Sequence, residues 1–128
     1  MDNKLEYIPG DLVFHYIPKT TIKKYVKVYV CSTNNALSLE DMDGHLYDYI
    51  GVLYPIPLTP EILEKNGWVK DKEGYINDSY HLHLCGKYDE YSVYKVVNDN
   101  VVWLTGVRNV SDLQHLLFGL GINHEMEV

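Results

Sequence analysis

A β-rich α+β fold is predicted by three features of the sequence. Short runs of alternating apolar and polar residues, rich in Val and Tyr, fill most of the chain and are separated by turn signals. A proline-framed helix signal lies near the middle, and an amphipathic helix pattern lies near the C-terminus. Connections between the strand-like runs are too short for crossovers, so the strands should pair antiparallel.

In the first half, Gly10 to Ile17 reads as a strand, with Leu12, Phe14 and Tyr16 alternating with Val13, His15 and Ile17. Pro18 ends it, and Lys19 to Lys24 is a polar connection. Tyr25 to Ser32 is a second strand with Val26, Val28 and Val30 on one face. Asn34-Asn35 signals a turn, and Ala36 to Asp41 a third strand. Asp43-Gly44 suits a type I′ hairpin, which leads into a fourth strand, His45 to Leu53. Four short strands with tight turns predict a small SH3-like N-terminal barrel. Residues 1–58 form this half and residues 59–128 the other, as two units or as one integrated domain.

The stretch from Tyr54 to Trp68 joins the halves. Pro55 and Pro57 fix φ and lack donors, so Tyr54 to Leu58 should run extended and leave the sheet ladder. Thr59 is an N-cap, Pro60 suits the first helical position, and Glu61 complements the helix dipole. Gly67 should close the helix, with Trp68 packing back on its last turn. A short connecting helix is therefore expected from Pro60 to about Asn66.

The second half reads as a C-terminal antiparallel meander covered by one helix. Trp68 to Lys70 and Tyr75 to Ile76 flank a Lys72-Glu73-Gly74 turn; Tyr80 to Cys85, Tyr91 to Val97 and Val101 to Thr105 follow as strands. Ser111 with Gln114 forms a Ser-x-x-Gln capping box, and Val110, Leu113, Leu116, Leu117 and Leu120 mark one helical face ended by Gly121. His124-Glu125-Met126-Glu127 reads as a polar, mobile tail.

Three segments also carry a resemblance. Pro55-Ile56-Pro57-Leu58-Thr59, followed by Glu61-Ile62-Leu63, Lys65 and Gly67-Trp68, resembles the centre of a family of small uncharacterised bacterial proteins. These are encoded in prophages and conjugative elements. Pro9-Gly10-Asp11-Leu12-Val13 is similar to the family's opening Gly-Asn-Leu-Val strand, and Asp112-Leu113-Gln114-His115-Leu116-Leu117-Phe118 to its closing Leu-Gln helix. The family's His-Gln is replaced here by Ser111-Asp112, so no role of that histidine transfers. The resemblance implies an architecture and a mobile-element context, and carries no activity with it.

Composition narrows the function. A chain of 128 residues buries roughly two thirds of its unfolded surface and needs no staples. No apolar run approaches the roughly 20 residues of a membrane helix. The acidic start Met1-Asp2-Asn3-Lys4-Leu5-Glu6 does not suggest a signal peptide, so a cytoplasmic location is expected. Cys31 and Cys85 are isolated, which fits a reducing compartment. A net charge of −7 and a single arginine, Arg108, disfavour broad nucleic-acid binding. Twelve tyrosines suit strands and also recognition surfaces.

Among chemical constellations, His81, His83 and Cys85 would share one face of a strand and offer zinc-competent ligand types. The competing reading is an amphipathic strand with a polar face. Asp41, Asp43 and Asp48 surround a hairpin, but turn chemistry explains Asp43 and the spacing is not that of a calcium loop. Ser111, His115 and Asp112 could be drawn as a triad, but Ser111 is better used as a cap. No nucleophile elbow or P-loop is present, so the chain leans away from enzymes, and no cofactor is expected. Lys19, Lys23, Lys24 and Lys27 cluster beside Tyr16, Tyr25 and Tyr29 and could follow a phosphate backbone. The competing and favoured reading is a solvated loop and an edge strand guarded by lysines. The leading expectation is a non-enzymatic accessory or adaptor protein of a mobile element that binds another protein. The alternatives are a nucleic-acid-associated module using Lys19 to Lys27 and a metal-binding protein using His81 and His83. A free edge in either sheet would support a homodimer.

Overall fold

The computed structural model describes residues 8–16, 23–31, 37–48, 52–87 and 90–128. The chain divides into two compact units, Met1–Ile56 and Pro57–Val128, each strand-rich and antiparallel. The α+β class read from the sequence is what the structure shows.

The first unit holds β1 (Leu12–Tyr16), β2 (Lys23–Cys31), β3 (Leu37–Asp41), β4 (Leu46–Asp48) and β5 (Val52–Pro55). They form one sheet in the order β4-β3-β2-β1-β5. Val13 lies opposite Val26 and Val28 opposite Leu39, and these four fully buried side chains form the core, with Leu53 packed against them. The sheet has two edges, β4 and β5, so no SH3-like barrel closes among the described residues. The single strand expected from His45 to Leu53 is two strands at opposite edges, and residues 49–51 lie outside the described residues. Tyr54 and Pro55 also stay in the ladder, opposite Phe14 and Val13. An edge strand tolerates this, because one side of Pro55 needs no donor. The hairpin at Asp43-Gly44 is a wider loop than the predicted type I′ turn. Asp41 pairs through its N–H with the His45 carbonyl (3.0 Å), and Gly44 alone takes a positive φ of 89°.

The second unit holds α1 (Pro60–Lys65), β6 (Val69–Lys70), β7 (Gly74–Asn77), β8 (Leu82–Lys87), β9 (Glu90–Val97), β10 (Asn100–Val107) and α2 (Val110–Gly119). Its sheet is a plain meander, β10-β9-β8-β7-β6. Helix α1 starts as its residues dictate: the Thr59 hydroxyl accepts from Ile62 N–H and Pro60 follows the cap. It ends where Gly67 turns left-handed at φ 90°, so that Gly67 N–H reaches the Glu64 carbonyl (3.1 Å) and Trp68 N–H the Leu63 carbonyl (3.0 Å). Trp68 is then buried.

The N-cap of α2 is Asn109, not Ser111. The Asn109 side chain accepts from Asp112 N–H (2.8 Å), and the Asp112 carboxylate accepts from Arg108 N–H (3.0 Å). Ser111 lies inside the first turn and donates its hydroxyl to Asn109 (3.0 Å). Asparagine caps at least as well as serine, so the helix gains a turn position. Gln114 is thereby released from capping. It is fully buried and donates its Nε2 to the carbonyl of His124 (3.0 Å). The C-terminal segment is consequently not a loose tail: Asn66 exchanges two hydrogen bonds with Glu127, both 2.8 Å, and Lys65 Nζ reaches the Val128 carbonyl at 3.1 Å.

Strand β7 approaches β8 so closely that a Cβ on Gly74 would fall on the Leu84 carbonyl oxygen. At Gly119, by contrast, an added Cβ meets nothing within 4 Å. Gly74→Ala is expected to lower stability by about 3 kcal/mol, since backbone rather than a side chain must yield. Gly119→Ala is expected to raise it by about 0.5–1 kcal/mol through helix propensity. Urea unfolding of the two variants checks the opposite signs.

Candidate functional site

In the second sheet the strand alternation separates two faces. Tyr75, Asn77, Leu82, Leu84, Tyr91, Val93 and Val107 are buried on one. On the other, the register places Val69 opposite Ile76, Ile76 opposite His83, His83 opposite Tyr94, and Tyr94 opposite Trp103. One row of apolar and aromatic side chains thus crosses all five strands of the sheet. Its two ends are open, with Val69 62% and Trp103 59% exposed, while the three central residues are half-buried by their neighbours. Val96 and Val101 stand opposite one another beside the row, and Val101 is 60% exposed. A type I′-like turn holds this corner, since Asn98 and Asp99 both take positive φ, 51° and 69°.

The metal-ligand reading meets a different geometry. His81 is not on the strand: it sits in the turn before β8 at φ 58° and is exposed. The cause is the Tyr80 N–H bonding back to the Asn77 carbonyl (3.2 Å), which delays β8 to Leu82. His83 and Cys85 do share the open face of β8, both half-buried. Burial, and then the charges of Glu73 and Asp71, push the Cys85 thiol above its ordinary pKa, which weakens it as a ligand.

Among the described residues, the three side chains whose ligand atoms gather within 4.8 Å are instead Asp41, Asp43 and His45. Turn chemistry accounts for them. Asp41 accepts from Asp43 N–H (3.0 Å) and His45 N–H (2.9 Å), and its other oxygen faces Lys24 at 3.6 Å. The His45 N–H bond, first among its causes, holds the Asp41 carboxyl below its usual range.

Of the lysine cluster, Lys19 and the side chain of Lys23 lie outside the described residues. Lys24 projects on the same side of β2 as Val26 and Val28 and is engaged with Asp41. Lys27 projects from the other side, with Tyr25, and a register shift between Val28 and Val30 interrupts the alternation before the exposed Tyr29. There Tyr25 stacks on Phe14 with centroids 4.8 Å apart, and Tyr54 lies opposite Phe14 on β5. Strand alternation therefore divides the lysines between two faces.

A cleft of about 290 Å³ lies in the second unit along the β6–β7 hairpin, lined by Lys70, Asp71, Lys72 and Glu73 with the rings of Tyr75 and Tyr91. Burial, then the Glu64 charge, raises the Tyr75 hydroxyl above its ordinary pKa, and that hydroxyl donates to Glu64 at 3.4 Å. In the Ser111, His115 and Asp112 set, the Ser111 hydroxyl donates to Asn109 and the Asp112 carboxylate accepts from Arg108 N–H, both at the start of α2.

Comparison of the chain with protein-family models, with curated proteins and with solved structures finds no match. Among the described residues, no helix is long and apolar enough to cross a membrane. The cross-strand row was not visible in the sequence. Its signal was present in the outward positions Ile76, His83 and Tyr94, but register is needed to align them.

The raised pKa of Cys85 sets its reactivity. At neutral pH its thiolate fraction falls below that of an unperturbed cysteine, and the rate rises only at higher pH. In a Cys31→Ser background, maleimide labelling at pH 7 should be several-fold slower in the folded protein than in urea. Equal rates would contradict the burial seen here.

Proposed function

We propose that this is a non-enzymatic adaptor that binds another protein through the open face of its second sheet. The observation that carries this reading is the Val69–Ile76–His83–Tyr94–Trp103 row. Tryptophan and tyrosine are the side chains that most often anchor interfaces, because they bring large apolar area at low entropy cost. An apolar patch left open on one side of a sheet marks a contact surface. The resemblance to proteins of prophages and conjugative elements supports a role as an accessory of a mobile element, acting in the cytoplasm. Ile76→Ser and Tyr94→Ser alter only the open face. Each is expected to weaken capture of the partner from host lysate at moderate salt by about tenfold or more, with the fold retained by circular dichroism. Unchanged capture by both variants would contradict the reading.

A second reading rests on the other unit. Phe14, Tyr25 and Tyr54 share a sheet face with Lys27, an arrangement suited to stacking single-stranded bases beside a phosphate. The net charge of −7 weighs against it. It predicts binding of an oligonucleotide that falls steeply with salt and drops several-fold in Lys27→Glu, read by fluorescence anisotropy; binding unaffected by that substitution would end it.

A further inference from the structure

We infer that the free edge of β10 pairs with the same edge of a second copy of the chain, joining two second-unit sheets into one. The inference goes beyond docking on the open face, because it uses the backbone edge of β10, with Trp103 as the one member of that row at the seam, and leaves β7, β8 and β9 uncovered.

A sheet edge presents unpaired N–H and C=O groups, so the natural occupant is another strand. Proteins block such edges by shortness, proline or charge. Among the described residues, three of the four sheet edges show these guards. Strand β6 spans only Val69–Lys70 and runs into Asp71-Lys72-Glu73; β5 ends in Pro55; β4 has three residues and ends in Asp48. Strand β10 has none of them: its eight residues, Asn-Val-Val-Trp-Leu-Thr-Gly-Val, carry no charge and no proline. Its one guard is the bulge between Trp103 and Thr105, which confines the open, regular edge to Asn100 to Trp103.

The direction of the backbone in that edge can be worked out. Val96 N–H bonds to the His81 carbonyl on the β8 side (2.9 Å). Alternation then turns Lys95 and Val97 toward β10, where they face Val102 and Asn100. Val101 and Trp103 must therefore direct their N–H and C=O groups outward.

This spacing is self-complementary. If two copies meet antiparallel about a two-fold axis at Val102, Val101 of each lies opposite Trp103 of the other. Both outward residues then exchange N–H···O bonds, and Val102 meets its own counterpart. Side chains of Val101 and Trp103, both more than half exposed in one chain, pack across the seam. Charge selects this contact as well. Two chains of net charge −7 repel, so self-association needs a neutral surface, and β10 supplies it.

Sedimentation velocity on the full chain, over a concentration series reaching roughly 1 mM, tests the inference. The wild-type protein should pass from monomer to dimer. Val101→Lys places a charge on the edge and should weaken association by about tenfold or more. Val69→Lys, at the opposite edge of the same face and equally exposed, should leave the dimer intact. Amide exchange gives a second readout independent of substitution: the Val101 and Trp103 N–H groups should slow as concentration rises. A wild-type chain that stays monomeric throughout would overturn the inference. So would a dimer that Val69→Lys dissociates and Val101→Lys does not, or one in which the exchange of those two amides is independent of concentration.

Discussion

The register of β7, β8 and β9 is the constraint on which the second unit depends. A strand that slips by one residue exchanges its two faces. At β8 that slip would expose Leu82 and Leu84 and bury His83 and Cys85, at a cost of about 1.5–3 kcal/mol for each leucine alone. Close approach of Gly74 to the Leu84 backbone adds a steric lock on the same register. The buried face and the open row are thus two consequences of one pairing.

Beside the buried Leu58, Leu63, Leu113 and Leu117, hydrogen bonds tie the helices and the C-terminal residues of the second unit. Helices α1 and α2 both finish on left-handed glycines, Gly67 and Gly121, that turn back amides to the last carbonyls. Asn66 and Gln114 then hold the final residues from opposite directions, through Glu127 and His124. A bridge between Pro57 and Asn109 links the entries to the two helices. The Gln114 amide is fully buried and would be costly if left unpaired, so its bond to His124 specifies one arrangement.

Much of the architecture was legible because local chemistry and tertiary structure agree. Thr59-Pro60 and Gly67 mark α1 to within a residue, and alternation locates the strands of the meander. Failures occur where two local signals competed or where a choice depended on distant residues. Ser111 and Asn109 are both good caps, and the Asn109 cap is the one joined by a return bond from Arg108 N–H to the Asp112 carboxylate. His81 fits the strand pattern of His83 and Cys85, yet the turn after Asn77 removes it from the strand. The division of His45 to Leu53 into two edge strands depends on β1 requiring a partner on its far side, which no local pattern encodes. The open row was illegible for the same reason, since its members come from five strands.

A partner seated on the open face of the second sheet, as proposed, would lie within reach of side chains placed there. Site-specific photo-cross-linking tests this directly. A benzophenone side chain at position 94 lies in the middle of the row, and one at position 119 lies on the exposed side of α2. A discrete cross-linked product with a host protein is expected from position 94 and none from position 119. Equal products from both positions, or none from position 94, would contradict the proposal.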